Sequence, residues 1–269
     1  MTTDTHTKTA YQHLEKFCKI KSTSSYHASE IAITPRVTYL IEQLYLMEVN
    51  YKIDEFEIPN STKGEKFVNL YVMFPSKNKD AKNIIFVAHH DVANPNSENC
   101  QDNSASVCNL LELCSTLKDK ELQNNIIVCF TDGEEIVNAN KCGAGRISRS
   151  IREGAKPFQN GVDYNINLEL TGLGRNIWAD RLNIEQSNSY DYLISKIDNV
   201  KEVRTPASDS VMFRANGFDS ICIGCLDDEN IKRDYPKTWM LCHSEQDTID
   251  KISESDMNYF VHEILMKLV

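Results

Sequence analysis

The stretch Ile84-Ile85-Phe86-Val87-Ala88-His89-His90-Asp91 decides the fold of this 269-residue chain. Five consecutive apolar residues end in two imidazoles and a carboxylate. A run that is apolar on both faces predicts a strand buried beneath helices on each side, as in parallel sheets. Polar groups at the carboxyl end of such a strand lie at the edge of the sheet where α/β proteins bind their ligands.

Three more short runs rich in β-branched residues follow along the chain, at residues 125–131, 165–170 and 220–224. Segments with the apolar periodicity of helices lie between them, and another closes the chain. This alternation predicts an α/β fold, a three-layer sandwich whose mixed, mostly parallel central sheet is flanked by helices. Because no linker or repeat interrupts the pattern, we expect residues 1–269 to form a single catalytic domain.

The first part of the chain predicts two helices and a strand pair. Apolar spacing indicates one helix at residues 11–18 and a second after Thr34, which suits the N-cap, and Pro35, which suits the first helical position. From Tyr51 the apolar period changes to two, and an apolar stretch spans residues 67–74. We expect these two segments to be antiparallel strands joined by a turn at residues 60–66.

Composition excludes several classes of function. The net charge of −10 argues against binding a phosphate backbone, so we expect no nucleic acid partner. The longest apolar run is far shorter than the roughly 20 residues that span a membrane. The first residues carry no readable targeting signal, and the nine scattered cysteines suit reduced thiols, including the pair Cys222 and Cys225. We therefore expect a cytoplasmic protein without a membrane partner.

Imidazoles and carboxylates stand at the predicted strand ends and in two further polar segments: His89, Asp91, Asp102, Glu134, Glu135, Glu169 and His243. Each has an ordinary structural explanation by itself, such as a hydrogen-bonded histidine, a helix N-cap or a surface glutamate. Their joint occurrence at one sheet edge predicts a metal site. Nitrogen and oxygen donors without thiolate suit a hydrolytic zinc, cobalt or manganese centre.

With these motifs, the sequence resembles the co-catalytic di-zinc aminopeptidases, whose relatives include glutaminyl cyclases and the ectodomain of the transferrin receptor. The resemblance runs from about residue 84 to the C-terminus. It implies a zinc-peptidase-like fold and two divalent metal ions, zinc in the first place, with cobalt or manganese as alternatives. By the same resemblance, His89 and Glu169 bind the first metal, Glu135 and His243 bind the second, and Asp102 bridges both.

The resemblance also implies three roles beside the metals. Asp91 is the carboxylate that orients the first imidazole, and Glu134 is the general base. Asp209 lies in a segment similar to a substrate-binding motif of the family. Two departures concern the pocket and the ligands, because Ser210 replaces the family's histidine and Glu169 stands where an aspartate is usual.

A metal-dependent hydrolase follows from this ligand set. The expected reaction removes N-terminal residues from short peptides or aminoacyl substrates, with Glu134 taking a proton from a water shared by the two ions. The carboxylate-rich pocket attracts the cationic α-amine of such substrates. We expect the pocket walls near Asp209 and in residues 136–145.

Three alternatives remain open. A glutaminyl cyclase-like single-zinc acyltransferase shares these motifs, although the chain has only two Trp with which to line such a pocket. A carboxypeptidase or deacetylase-type amidohydrolase needs a cation such as Arg204 or Arg214 for the terminal carboxylate. The lid domain of those enzymes does not fit between Glu169 and His243. A catalytically inactive binding domain would have lost ligands that are all present here.

Overall fold

The computed structural model describes residues 8–21, 33–57, 66–136, 142–180, 186–204, 208–227 and 237–269. Its strands are β1 (Tyr51–Glu57), β2 (Lys66–Phe74), β3 (Asn83–His89), β4 (Asn125–Thr131), β5 (Tyr164–Leu168), β6 (Asn176–Asp180), β7 (Lys201–Glu202) and β8 (Ile221–Leu226). Its α-helices are α1 (Ala10–Phe17), α2 (Pro35–Leu46), α3 (Ala105–Leu117), α4 (Gly143–Arg152), α5 (Asn188–Lys196), α6 (Asp209–Ala215) and α7 (Glu254–Tyr259). After α7 the chain stays helical, in π and 3-10 turns, to Lys267.

The described strands form one mixed sheet in the order β1-β2-β4-β3-β5-β8-β6-β7. The four strands predicted to be central and parallel, β4, β3, β5 and β8, are neighbours and pair in parallel. Antiparallel pairs flank them, β1 with β2 and β2 with β4 on one side and β6 with β8 on the other. The predicted fold class is confirmed. The sequence did not predict β6 and β7. Strand β7 has only two residues, too few to show a period, and β6 has only three consecutive apolar residues, Ile177 to Ala179.

Strand β3 shows why its sequence is apolar without interruption. Ile84, Phe86 and Ala88 point into the core shared with α1, α2, α3, α5 and α7. Ile85 and Val87 point to the opposite face, where α4 and α6 pack. Helices therefore cover both faces of the central strands, and this burial supplies most of the free energy of folding.

The helix and strand boundaries follow local sequence signals. The Thr34 side chain accepts the N–H of Val37 and Pro35 opens α2, as predicted. Strands β1 and β2 are antiparallel, while most of the predicted turn at 60–66 lies outside the described residues. Among the described residues, no helix combines the length and apolar character needed to cross a membrane.

Candidate metal centre

Three predicted ligand segments lie at the carboxyl ends of neighbouring parallel strands. His89 is the last residue of β3, and Glu169 directly follows β5. Glu134 and Glu135 open a 3-10 turn after β4. Gly133 has a φ of 76°, which a residue with a side chain rarely adopts, and it turns the chain into this glutamate pair. The order of the sheet thus brings the three segments to one edge.

Asp102 lies in the kinked turn Cys100–Ser104 that leads into α3, and its own backbone dihedral angles are not helical. The side chains of the residues before and after Asp102 form hydrogen bonds with the backbone on either side of Glu169. Gln101 Oε1 accepts the N–H of Gly172 at 3.1 Å, and Asn103 Nδ2 donates to the carbonyl of Leu168 at 2.8 Å. The segments that carry Asp102 and Glu169 are therefore held together by buried hydrogen bonds.

The carboxylate of Asp102 faces two imidazoles, one with each oxygen. Its Oδ1 lies 3.4 Å from His89 Nε2, and its Oδ2 lies 3.3 Å from His243 Nε2. Glu169 Oε2 lies 3.5 Å from the same nitrogen of His89, and Glu135 Oε2 lies 3.0 Å from that of His243. The five predicted ligands thus form two donor sets that share Asp102.

Burial and close contacts between charged groups shift the pKa values of these side chains. Burial, with the nearby charges of Asp102 and Asp209, raises the pKa of Glu169 to about 7. Burial and the neighbouring carboxylates also raise the pKa of Glu134 well above its ordinary value. Hydrogen bonds to Asp102 and Glu135 raise the pKa of His243 to about 11. The site therefore has an excess of negative charge that favours positive ligands.

The donor set fits divalent cations. Glu135 Oε1 is buried and has no hydrogen-bond partner in the described part of the chain. His89, Asp102 and Glu135 each offer a donor atom within 4.8 Å of the other two, and all three residues are buried. Imidazole nitrogens and carboxylate oxygens are ligands of zinc, cobalt and manganese. A bound cation would satisfy the lone oxygen of Glu135 and offset the excess charge.

Asp91 lies between the expected ligand His89 and the glutamate pair. Its Oδ1 lies 3.4 Å from His89 Nδ1, on the side of the ring opposite Asp102. Its two oxygens also accept the backbone N–H groups of Glu134 and Glu135 at 3.2 and 3.0 Å. One carboxylate thus fixes both an imidazole and the turn of the expected base, and the second contact was not predicted.

Asp209 begins a helix near the site, and its role in substrate binding stays a prediction. It is the first residue of α6, and it is only 1% exposed. Its Oδ2 accepts a short hydrogen bond from the hydroxyl of Thr131. Burial raises its pKa to about 6. The charge of Asp209 contributes to the raised pKa values of Glu134 and Glu169. Residues 137–141 of the other expected wall lie outside the described part.

Two further residues near the site were not assigned from the sequence. Asp247 accepts the backbone N–H groups of Gln101 and Asp102, so it anchors the turn that carries Asp102. His90 follows a ligand in sequence, but its Nε2 lies 2.8 Å from the carbonyl of Val68, so it ties β3 to β2. Asp247 lies four residues after His243, but nothing in this spacing indicates a backbone contact across 145 residues of chain.

Several solved structures share this fold. BSAP, a zinc aminopeptidase from Bacillus subtilis, is 19% identical, with a TM-score of 0.62 over 76% of this chain and 50% of its own. The chain thus spans about half the length of that protein. Glutaminyl cyclase from Porphyromonas gingivalis is 17% identical, with a TM-score of 0.71 over 97% of this chain and 96% of its own. A leucine aminopeptidase precursor from Bacteroides thetaiotaomicron is 15% identical, with a TM-score of 0.71 over 97% and 95%.

The family follows from the sequence itself. No curated protein matches the chain significantly. The sequence profile described as Peptidase family M28 matches residues 69–267, which include both donor sets and Glu134. That match covers well over half of the chain and agrees with the resemblance seen in the motifs. The chain therefore belongs to Peptidase family M28.

Proposed function

We propose that this protein is a zinc-dependent aminopeptidase that removes N-terminal residues from short peptides. The observation that carries the proposal is the position of Asp102, which divides the ligands into two sets around one shared carboxylate. Membership of a peptidase family supports hydrolysis of peptide bonds. Two of the structurally similar proteins are aminopeptidases, which supports the choice of the N-terminal residue.

Two divalent cations fit this arrangement, with zinc as the first choice and cobalt or manganese as alternatives. His89, Asp102 and Glu169 would hold one cation, and Asp102, Glu135 and His243 the other. When bound, such a pair lowers the pKa of water toward neutrality and polarises the carbonyl of the scissile bond.

Glu134 is the residue of this chain that we assign to proton transfer. It is half-buried beside both donor sets, and Asp91 holds its backbone N–H. As general base it takes the proton of the attacking water, and as general acid it passes that proton to the leaving amine. The surrounding carboxylates also favour a substrate with a cationic α-amine.

Cyclisation of N-terminal glutamine is the second candidate activity. The glutaminyl cyclase from Porphyromonas gingivalis matches 97% of this chain, and a glutaminyl cyclase from Tannerella forsythia matches the same share.

A carboxypeptidase is disfavoured by the position of Arg214. Its Nη1 donates to the carbonyl of Ser220 at 2.9 Å, and its side chain faces Asp180. Arg214 is thus held within the fold through its Nη1 and faces a carboxylate of the chain itself.

A substrate panel tests the proposal. Purified protein loaded with zinc is given aminoacyl amides with free and N-acetylated amines, peptides to be shortened from either end, and a peptide that begins with glutamine. We expect hydrolysis of the free amines, loss of most of kcat/KM on N-acetylation, and loss of activity with chelator that zinc restores. Equal cleavage of acetylated substrates or release of C-terminal residues would refute it. Cyclisation without hydrolysis would establish the cyclase instead.

A further inference from the structure

A second cluster of metal-binding side chains lies outside the site described above. Cys18 Sγ, a carboxylate oxygen of Glu98 and Cys100 Sγ all lie within 4.8 Å of one another. The thiol of Cys100 donates to Glu98 Oε2 at 3.7 Å. Both cysteines are buried, while Glu98 is half-buried and opens the cluster to solvent.

The fold holds these three side chains in place. Cys18 caps the C-terminus of α1, and Cys100 begins the turn that contains Asp102. Between Glu98 and Cys100, Asn99 has a φ of 48°, and its side-chain amide donates to two backbone carbonyls of the same loop. This kink places the side chains of its two neighbours in one cluster.

Glu98 is oriented in the manner of a metal ligand. Its Oε2 accepts the backbone N–H of Ile249 at 2.8 Å, so the carboxylate is held by a group that is not itself a donor to the cluster. Such supporting hydrogen bonds orient ligands toward a metal and lower the entropic cost of binding it.

The charges near the cluster balance when a divalent cation is bound. Two thiolates and one carboxylate carry three negative charges, so binding of a divalent cation leaves a net charge of −1. The buried guanidinium of Arg36 interacts electrostatically with both Cys18 and Cys100. Hydrogen bonds to His90 O and Ser104 Oγ fix that guanidinium in place. Its positive charge offsets the remaining negative charge.

We propose that Cys18, Glu98 and Cys100 form a second metal site that takes a thiophilic divalent cation, zinc above all. Thiolate ligands select zinc over magnesium, calcium and manganese, and water completes a four-coordinate shell. The bound ion joins the end of α1 to the turn that carries Asp102. It is a structural support for the catalytic centre and takes no part in the reaction.

Cobalt spectroscopy tests this site separately from the catalytic one. Metal-free, reduced protein is titrated with Co²⁺ alone. A thiolate-to-cobalt charge-transfer band in the near ultraviolet is expected, because among the described residues this is the group of possible ligands that contains thiols. The band should be lost in Cys18→Ser and retained in Cys114→Ser, which removes another buried thiol. It should also be retained in Cys242→Ser, which removes the thiol next to His243.

X-ray absorption of the zinc-loaded wild type keeps the test independent of any variant that fails to fold. The spectrum should contain Zn–S scattering at about 2.3 Å beside the shorter Zn–N and Zn–O distances. Scattering from nitrogen and oxygen alone would refute the site. A cobalt band that persists in folded Cys18→Ser would also refute the site. The same holds if Cys18 and Cys100 form a disulfide and the protein still binds no cobalt after this disulfide is reduced.

Discussion

The side chain of Asp247 holds the backbone of Asp102. One carboxylate oxygen of Asp247 accepts the N–H of Asp102 at 3.0 Å, and the other accepts the N–H of Gln101 at 2.7 Å. Asp102 faces His89 with one oxygen and His243 with the other, so a shift of its backbone changes both distances. We infer that Asp247 is a positioning residue for both donor sets.

Replacing Asp247 by Asn should weaken metal binding. The amide has one acceptor oxygen instead of two, so one of two buried backbone N–H groups loses its partner, at a cost of about 1–3 kcal/mol. We expect a drop in zinc affinity of about 10–100-fold, as for other supporting residues of metal sites. Competition with a chromophoric chelator measures the affinity. Asp250→Asn, a change of an exposed neighbour, is the matched control, and equal affinities in both variants would contradict the role.

Asp102→Asn should bind fewer ions than His243→Ala. The two oxygens of Asp102 serve separate imidazoles, so its loss affects both donor sets, whereas His243 belongs to one. Metal analysis after dialysis against zinc should find about two ions fewer than wild type for Asp102→Asn and about one fewer for His243→Ala. His262→Ala removes an imidazole that pairs with Glu112, and it should keep the wild-type content. If Asp102→Asn loses only one ion, Asp102 does not bridge.

The adjacent residues Glu134 and Glu135 should respond differently to the same change. Glu135 Oε2 lies 3.0 Å from His243 Nε2, so Glu135→Gln should reduce the zinc content. Glu134→Gln should keep the zinc content and the melting temperature, yet lower kcat by about 10²–10⁴-fold, because it removes a proton acceptor. Each variant serves as the other's control. The roles are reversed if Glu135→Gln keeps its zinc and is the less active of the two.

The sequence predicts the ligand segments because each depends on a local signal. The apolar run before His89 marks a buried parallel strand, and a strand of this kind ends at the edge of the sheet where ligands bind. The turn chemistry of Thr34 and Pro35 is equally local, and the structure agrees with it. Strand order and strand ends are enough to predict which of these residues lie together in the fold. This holds for His89, Glu135 and Glu169.

The contacts that the sequence does not predict join distant parts of the chain. Asp247 binds the backbone of Asp102 across 145 residues, and Asp91 binds the backbone of two glutamates that are more than 40 residues away. Carboxylates that accept backbone N–H groups leave no periodicity and no motif, because any carboxylate at the right point in space can serve. The burial of Asp209 is equally hidden in the sequence, since it depends on how α6 packs.

The last prediction concerns His13, a buried residue of α1 far in sequence from the metal ligands. Its Nδ1 lies 3.0 Å from the hydroxyl of Tyr39, and its Nε2 has no hydrogen-bond partner among the residues described. Burial, together with the positive charges of Lys8 and Lys16, lowers the pKa of His13 to about 3. In the unfolded chain the imidazole has a pKa of about 6.5. At pH values between about 3 and about 6.5, the imidazole of His13 is protonated in the unfolded state and neutral in the folded state.

Acid should therefore destabilise the protein through His13. Its contribution to the free energy of unfolding is complete above about pH 6.5 and falls by up to about 1.4 kcal/mol per pH unit as the pH drops toward 3. Urea unfolding of metal-free protein between pH 7 and 4 measures the slope. His13→Gln should have a shallower slope than wild type. Tyr39→Phe, which removes the partner hydroxyl but leaves the imidazole buried, should keep it, and equal slopes for His13→Gln and wild type would disprove the assignment.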